Sequence, residues 1–204
     1  MKSIKYLMLA AVSAFMLTSC GEKEVDGPWE IVTQDQAQVQ ILYETPVAAA
    51  AANYVYKVEL AGKTYENNGA ALLNTYNGIP SGSTGLYYTI PAGTQNLTLY
   101  LKGDKKVYDK NFTVEGGKKY QIFVCEYDKD PVVIETPKIP APATTETAEY
   151  ACVRFINFMF EDANTRYAGK VQLRLQDPTT KEYYNVGDPI GFGEATEWFM
   201  PEVH

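Results

Sequence analysis

Short runs of alternating apolar and polar residues, separated by turn residues, dominate the chain from Ala37 onward. In the clearest run, residues 97–101, leucine alternates with threonine and tyrosine before a turn at Gly103-Asp104. Alternation with a period of two places one side of a strand in a core, and turns about every ten residues are typical of antiparallel sheets. No long helical period is present. We therefore predict an all-β chain whose first domain, residues 37–130, is an antiparallel β-sandwich of immunoglobulin-like size.

The run Tyr120–Cys125 differs from the others because it is apolar on both faces. Tyr120, Ile122 and Val124 share one face, and Phe123 and Cys125 share the other. A strand that is apolar on both sides is usually covered on both sides. We therefore expect this strand to be the most central one.

A proline- and threonine-rich stretch, residues 131–149, follows the first domain and predicts a semi-extended linker. The alternating pattern restarts at Tyr150. Val153–Asn157 corresponds to Val39–Tyr43, and Gly193–Pro201 corresponds to Gly82–Pro91, so residues 150–204 are interpreted as a second copy of the sandwich.

The second copy is incomplete, because nothing after His204 corresponds to Leu97–Glu126. Half a sandwich exposes an apolar face and a bare edge. The chain is then the beginning of a longer product, or the half-domain packs on the first domain, or a partner completes it. We expect the first of these, a truncation after His204.

The first twenty residues have the order of an export signal: Lys2 and Lys5 precede the apolar run Tyr6–Met16. This run is too short to span a membrane, which takes about 20 apolar residues. The run ends in Leu17-Thr18-Ser19-Cys20, which resembles the lipobox of bacterial lipoproteins. The resemblance implies a signal peptide, residues 1–19, and lipid on Cys20. The alternative is an ordinary secretory signal with a chance cysteine.

Residues 20–36 are interpreted as a lipidated tether. Its charged stretch Glu22–Asp26 resembles the surface-export tether of Bacteroidetes lipoproteins. The resemblance implies anchoring in the outer membrane with display at the cell surface. A periplasm-facing protein is the alternative.

Charge and composition narrow the range of partners. Removal of residues 1–19 takes away two of 18 basic residues and none of 25 acidic ones, which leaves a net charge near −9. Such a surface repels phosphate backbones, so nucleic-acid binding is not expected.

The 16 tyrosines suit sheet packing, because a flat ring packs on a pleated surface. A sugar-stacking platform is the alternative use of these rings. Its candidate ligand-binding residues are Tyr87, Tyr88, Tyr183, Tyr184 and Trp198.

Two cysteines remain besides Cys20. Cys125 and Cys152 would enter an oxidising compartment, where a disulfide between them is one option. The other, which we favour, is two separate thiols that pack as small apolar residues.

The sequence offers little catalytic chemistry. The only histidine is His204, so a histidine triad or a multi-histidine metal site within a folded pocket is excluded. The acidic loops that remain, with Glu126, Asp128 and Asp130 in one and Glu161 and Asp162 in the other, are interpreted as solvated loop charge. The first lacks the glycine and distal glutamate of an EF-hand. We expect no catalytic residue, no metal and no cofactor.

Framework motifs support one family resemblance. They are Val153–Asn157 at the start of a repeat, residues 88–93 before the alternating leucines, and Phe112, Val114, Gly117-Lys118 and Tyr120. The chain resembles in these positions the bacterial family called domain of unknown function 4397. The resemblance implies an immunoglobulin-like β-sandwich on a secreted or lipid-anchored protein, and no assigned activity.

These inferences lead to one expected function and two alternatives. We expect a non-enzymatic lipoprotein of the cell envelope with an adhesion, spacer or interaction role, held on the membrane through Cys20. The first alternative is a carbohydrate-binding lipoprotein of a glycan-uptake system. The second is a fimbrial subunit that takes a donated strand.

Overall fold

The computed structural model describes residues 33–73, 77–79, 87–139, 152–177 and 179–199. The predicted signal peptide, the predicted lipobox Leu17–Cys20, most of the predicted tether and His204 lie outside these ranges. The described chain is built of strands, with two short 3₁₀ helices, Pro46–Ala49 and Ala51–Asn53. In chain order the strands are β1 (Gln36–Tyr43), β2 (Val55–Leu60), β3 (Lys63–Glu66), β4 (Asn77–Ile79), β5 (Tyr88–Pro91), β6 (Gly93–Leu101), β7 (Lys105–Val114), β8 (Lys119–Val124), β9 (Val132–Glu135), β10 (Phe160–Asp162), β11 (Thr165–Arg166), β12 (Val171–Gln176) and β13 (Tyr183–Ile190).

Two larger sheets form the body of the fold. The first has the order β4-β1-β8-β9, and β5 also pairs with β1; the second has the order β3-β2-β6-β7. Within these two sheets the pairings are antiparallel except that of β1 with β8, which is parallel over Gln38–Tyr43 and Lys119–Val124. This pairing departs from the wholly antiparallel arrangement that the sequence predicted.

One apolar core lies between the two sheets. Val39, Ile41 and Tyr43 of β1 are fully buried in it, together with Leu97 and Leu99 of β6. Their spacing of two residues is the alternation seen in the sequence, since successive side chains of a strand point to opposite faces. The shared core makes this part a β-sandwich, and the predicted all-β class is confirmed.

The chain passes from the first sheet to the second at a tight corner. β5 ends at Pro91 and β6 begins at Gly93, so Ala92 alone connects the two strands. Gly93 has a φ of +97°. A side chain at this position would strain the backbone, which accounts for glycine at the corner.

β8 lies inside the first sheet, between β1 and β9, as expected of a strand with two apolar faces. Tyr120, Ile122 and Val124 enter the main core. Phe123, on the opposite face, belongs to a second cluster with Cys125, which directly follows the strand. The first sheet is therefore covered on both sides along β8.

The beginning of the predicted linker is a strand. Val132–Glu135, inside the linker interval 131–149, forms β9 and pairs with Phe123–Tyr120 of β8. Pro131 and Pro137 flank this strand and do not interrupt it. Its Val-Val-Ile sequence is β-branched and suits a sheet, a local signal that outweighs the surrounding prolines. Residues 140–149 lie outside the described ranges.

The described residues after the predicted linker, 152–177 and 179–199, form what we call the second segment. The second segment packs on the outer face of the first sheet. Phe123 of β8 contacts Phe158, with 4.5 Å between ring centroids. Phe192 meets Phe158 and Phe160 edge-on, at 5.7 Å and 5.1 Å. The described residues between Val32 and His204 belong to one compact unit. The described part of the predicted second copy therefore takes the second arrangement considered above, packing on the first domain.

Pairing within the second segment parallels that of the first. Val39 of β1 pairs with Tyr88 of β5. The corresponding start of the second copy pairs through two isolated bridges, Val153 with Phe199 and Ile156 with Ala195. The second copy thus keeps the partner of its first strand without forming a full strand there.

Two small hairpins complete the described chain. β10 pairs with β11, and β12 pairs with β13. The first hairpin turns at Ala163-Asn164. In the described ranges, no helix has both the length and the apolar composition to cross a bilayer.

Candidate functional site

A cleft of about 410 Å³ lies where the second segment meets the first sandwich. Three stretches of chain line it: Thr45 and Val47 after β1, residues 126–129 after β8, and Ala163-Asn164 in the β10–β11 turn. Because the third stretch comes from the second segment, the cleft exists only when the two parts are packed together.

A pair of tyrosines anchors one wall. The Tyr43 hydroxyl hydrogen-bonds to the Tyr127 hydroxyl and donates to the Asn53 carbonyl oxygen at 2.9 Å. The two rings stack with centroids 6.4 Å apart. Burial raises the pKa of Tyr43, so its hydroxyl stays protonated. The pair fixes the loop after β8 against the chain that follows β1.

An ion pair between Glu126 and Arg166 joins the two parts of the molecule. The Arg166 Nε donates to the Glu126 carboxylate, and the Glu126 side chain is only 13% exposed. The Arg166 guanidinium also lies 4.4 Å from the centroid of the Phe192 ring. Arg166 thereby connects β11 with the loop after β8 and with the aromatic cluster.

The turn that forms the far wall is held by Asp162. Its carboxylate accepts hydrogen bonds from the Asn164 backbone N–H at 2.8 Å and from the Thr165 hydroxyl at 3.1 Å. The Asn164 hydrogen bond, followed by that of Thr165, lowers the pKa of Asp162 because both favour the charged carboxylate. The geometry of the turn is therefore set by its own side chains.

The two acidic loops noted in the sequence meet at this cleft. Glu126 and Asp128 line it from one side, and the turn that follows Asp162 lines it from the other. Asp128 is exposed and lies 3.6 Å from the Lys129 ammonium. Among the described residues no group of three or more His, Cys, Asp or Glu side chains is arranged to hold a metal ion.

Two titratable groups sit beside the cleft in less polar surroundings. Glu44 follows β1, and its backbone N–H donates to the Val124 carbonyl at 2.9 Å. Burial raises the pKa of Glu44 to about 7. Burial also raises the pKa of the Cys125 thiol to about 12, with a smaller opposing effect from Arg166. The Cys125 thiol is therefore protonated at neutral pH.

Both described cysteines are free thiols. Cys125 is buried in the cluster with Phe123 and Ile134, whereas Cys152 is half-buried. No disulfide joins them in this structure, and Cys125 packs as a small apolar residue.

Four of the five candidate rings contact other groups of the protein, and one of them is Tyr183, whose ring centroid lies 5.4 Å from the Arg174 guanidinium. The Tyr88 ring lies 4.5 Å from that of Tyr65. The Tyr87 ring has the Lys119 ammonium 5.3 Å from its centroid. Trp198 donates its indole N–H to the Pro137 carbonyl at 3.3 Å.

Two of the five candidates are exposed to solvent. Tyr183 and Tyr184 are 59% and 47% exposed on β13. Consecutive residues of a strand point to opposite faces, so these two rings cannot form one flat platform. The structure does not bring the five candidate residues together as a sugar-stacking surface.

Sequence reasoning identified the acidic loops but not the groups that organise them. Arg166 belongs to no recognisable sequence motif. The only hint was its position directly after the Asp162–Thr165 turn, next to the acidic residues of that loop. Glu44 gave no signal at all, since its altered pKa arises from burial by distant parts of the chain. The Tyr43–Tyr127 contact likewise depends on tertiary structure.

No model of a known protein family matches the chain, and a search of curated proteins also finds no match.

Proposed function

We propose that this chain is a non-enzymatic lipoprotein of the bacterial cell envelope that acts as an interaction module, with the cleft as its recognition site. It is anchored through lipid on Cys20 in the outer membrane and displayed at the cell surface. The resemblance to the domain of unknown function 4397 agrees with this proposal.

The observation that supports the binding role is that the charged groups of the cleft lie in ion pairs. Glu126 is engaged by Arg166, and Asp128 lies beside Lys129. Each of these two lining carboxylates thus has a neighbouring cation as its partner. A cleft whose carboxylates lie beside cations is suited to ligand recognition rather than to acid–base chemistry.

The anchor is supported by the sequence. Each methylene of an acyl chain on Cys20 would contribute about 0.8 kcal/mol to membrane binding, so several chains suffice without a spanning helix. The tether between Cys20 and β1 then separates the sandwich from the bilayer.

The fimbrial alternative has less support. A subunit that awaits a donated strand leaves an apolar groove open. Here Phe158, Phe160 and Phe192 of the second segment already lie against Phe123 and Ile134 of the first sheet. The apolar face that motivated this alternative is covered from within the chain.

Anchoring and location are tested by labelling cells with a fatty acid that carries a clickable tag. The wild-type chain should take up the label and enter the outer-membrane fraction, and the Cys20→Ala variant should do neither. Protease added to intact cells should digest the wild-type protein. An unlabelled wild-type chain in the soluble fraction would contradict the proposal.

The non-enzymatic role is tested separately with chromogenic glycosides, esters and phosphate esters. The purified chain should turn over none of them. Turnover that disappears in Glu126→Gln would overturn the binding role and assign the cleft to catalysis.

A further inference from the structure

The cleft has the dimensions and the composition of a small-molecule site. Its volume of about 410 Å³ falls in the range of ligand pockets, and such pockets favour the junctions between structural units. The residues of the lining include the apolar Val47 and the aromatic Tyr127 together with the polar Thr45 and Asn164.

The walls of the cleft are fixed before any ligand arrives. The Tyr43–Tyr127 hydroxyl pair holds one wall, and the Glu126–Arg166 ion pair ties that wall to β11. The Asp162 carboxylate shapes the turn that ends in Asn164. A site organised in this way loses little conformational entropy when a ligand binds.

The charges around the cleft favour a neutral ligand. Two carboxylates, Glu126 and Asp128, are matched by two cations, Arg166 and Lys129. Because each carboxylate lies beside a cation, the attraction and the repulsion on a charged ligand largely cancel, and neither an anion nor a divalent cation gains a net electrostatic advantage. A neutral molecule with many hydroxyl groups can use the donors and acceptors without carrying a charge into the site.

We propose that the cleft between the loop after β8 and the β10–β11 turn binds a neutral saccharide, a mono- or disaccharide unit. The inference rests on the proposed interaction function and names its ligand class. Asp128 and Asn164 hydrogen-bond to the sugar hydroxyls. Val47 and the Tyr127 ring contact the C–H surface of the sugar.

The test is isothermal titration calorimetry of the full chain in detergent. Neutral mono- and disaccharides are titrated first, followed by a uronic acid, a sugar phosphate and calcium chloride. At least one neutral saccharide should bind, and the charged probes should bind more weakly or not at all. No heat from any neutral saccharide, or preferred binding of a charged probe, overturns the inference.

Three variants locate the binding. Asp128→Asn and Asn164→Ala alter exposed groups of the cleft, and each should weaken binding about three- to tenfold, the effect of one lost hydrogen bond. Ala163→Phe fills the cleft and should abolish binding. Asp188→Asn, which alters an exposed aspartate on β13 outside the cleft, is the matched control and should bind as the wild type does. Equal weakening by the control and by Asn164→Ala contradicts the site.

Failure of this inference is distinguishable from failure of the proposed function. A lipidated, surface-exposed chain without turnover that ignores every neutral saccharide refutes only the ligand class. A chain that is not lipidated refutes the proposed function, whatever the titration shows.

Discussion

The partly buried carboxyl of Glu44 gives the sharpest test of the environment that the fold creates at the end of β1. Burial raises the pKa of Glu44 from its ordinary value of 4.5 to about 7 in the folded protein. A difference of this size between the folded and unfolded chains corresponds to about 3 kcal/mol. The carboxyl is only partly buried, so solvent screening reduces the effect to about 1–2 kcal/mol.

The direction of the pH dependence follows from proton binding. Between pH 4.5 and about 7 the folded chain holds a proton on Glu44 that the unfolded chain releases. The contribution of Glu44 to the free energy of unfolding is therefore greatest below pH 4.5 and is lost as pH rises through about 7. Glu44→Gln keeps the site neutral at every pH and should remove this loss.

The assay is urea unfolding followed by tryptophan fluorescence, at about pH 5 and about pH 8.5. Glu44→Gln should gain about 1–2 kcal/mol relative to the wild type between these two conditions. Glu66→Gln, which alters an exposed glutamate on β3, is the matched control and should follow the wild type. Parallel curves for Glu44→Gln and the wild type would refute the reasoning.

Three further predictions concern the contacts that build the cleft. Phe158→Ala should destabilise the fold by about 2 kcal/mol, because the substitution removes a half-buried ring from the aromatic cluster. Thermal unfolding measures this loss, and an unchanged midpoint would show that the cluster does not hold the second segment. Arg166→Gln leaves Glu126 partly buried without its cation and should cost about 1–3 kcal/mol. A double-mutant cycle with Glu126→Gln should return part of that loss, and strict additivity would contradict the coupling. Tyr43→Phe removes the hydroxyl that Tyr127 contacts and should lower the free energy of unfolding in urea by about 1 kcal/mol. An unchanged free energy of unfolding would mean that water replaces the hydrogen bond.

Local patterns in the sequence predicted the strands well, because alternation reports directly on which face is buried. The apolar residues on both faces of β8 even predicted that this strand lies in the interior of its sheet. The direction of pairing was not predictable, since the residues of β1 carry no sign that β8 runs parallel to them. β9 was missed because prolines on either side, Pro131 and Pro137, dominated the local composition.

Part of the candidate site could also be predicted from local patterns in the sequence. The acidic residues of the two loops, such as Asp128 and Asp162, stood out as charge clusters in the sequence. Their meeting in one cleft depends on how the second segment packs on the first sheet, and that contact is tertiary. The rings of Tyr87 and Trp198 suggested an exposed platform because ring type is visible in a sequence, whereas their contacts with Lys119 and Pro137 are not.

The parallel pairing of β1 with β8 bears on the order in which the molecule can assemble. Gln40 and Gln121, which face each other across this pair, are 81 residues apart in the chain. A ribosome delivers β1 first, yet its parallel neighbour comes only after most of the sandwich has been synthesised. Contacts of such sequence separation slow folding, because a long loop must close before they form. β1 therefore remains an unpaired edge on that side until β8 has emerged, and a nascent chain stalled before Lys119 would be the form most prone to aggregate.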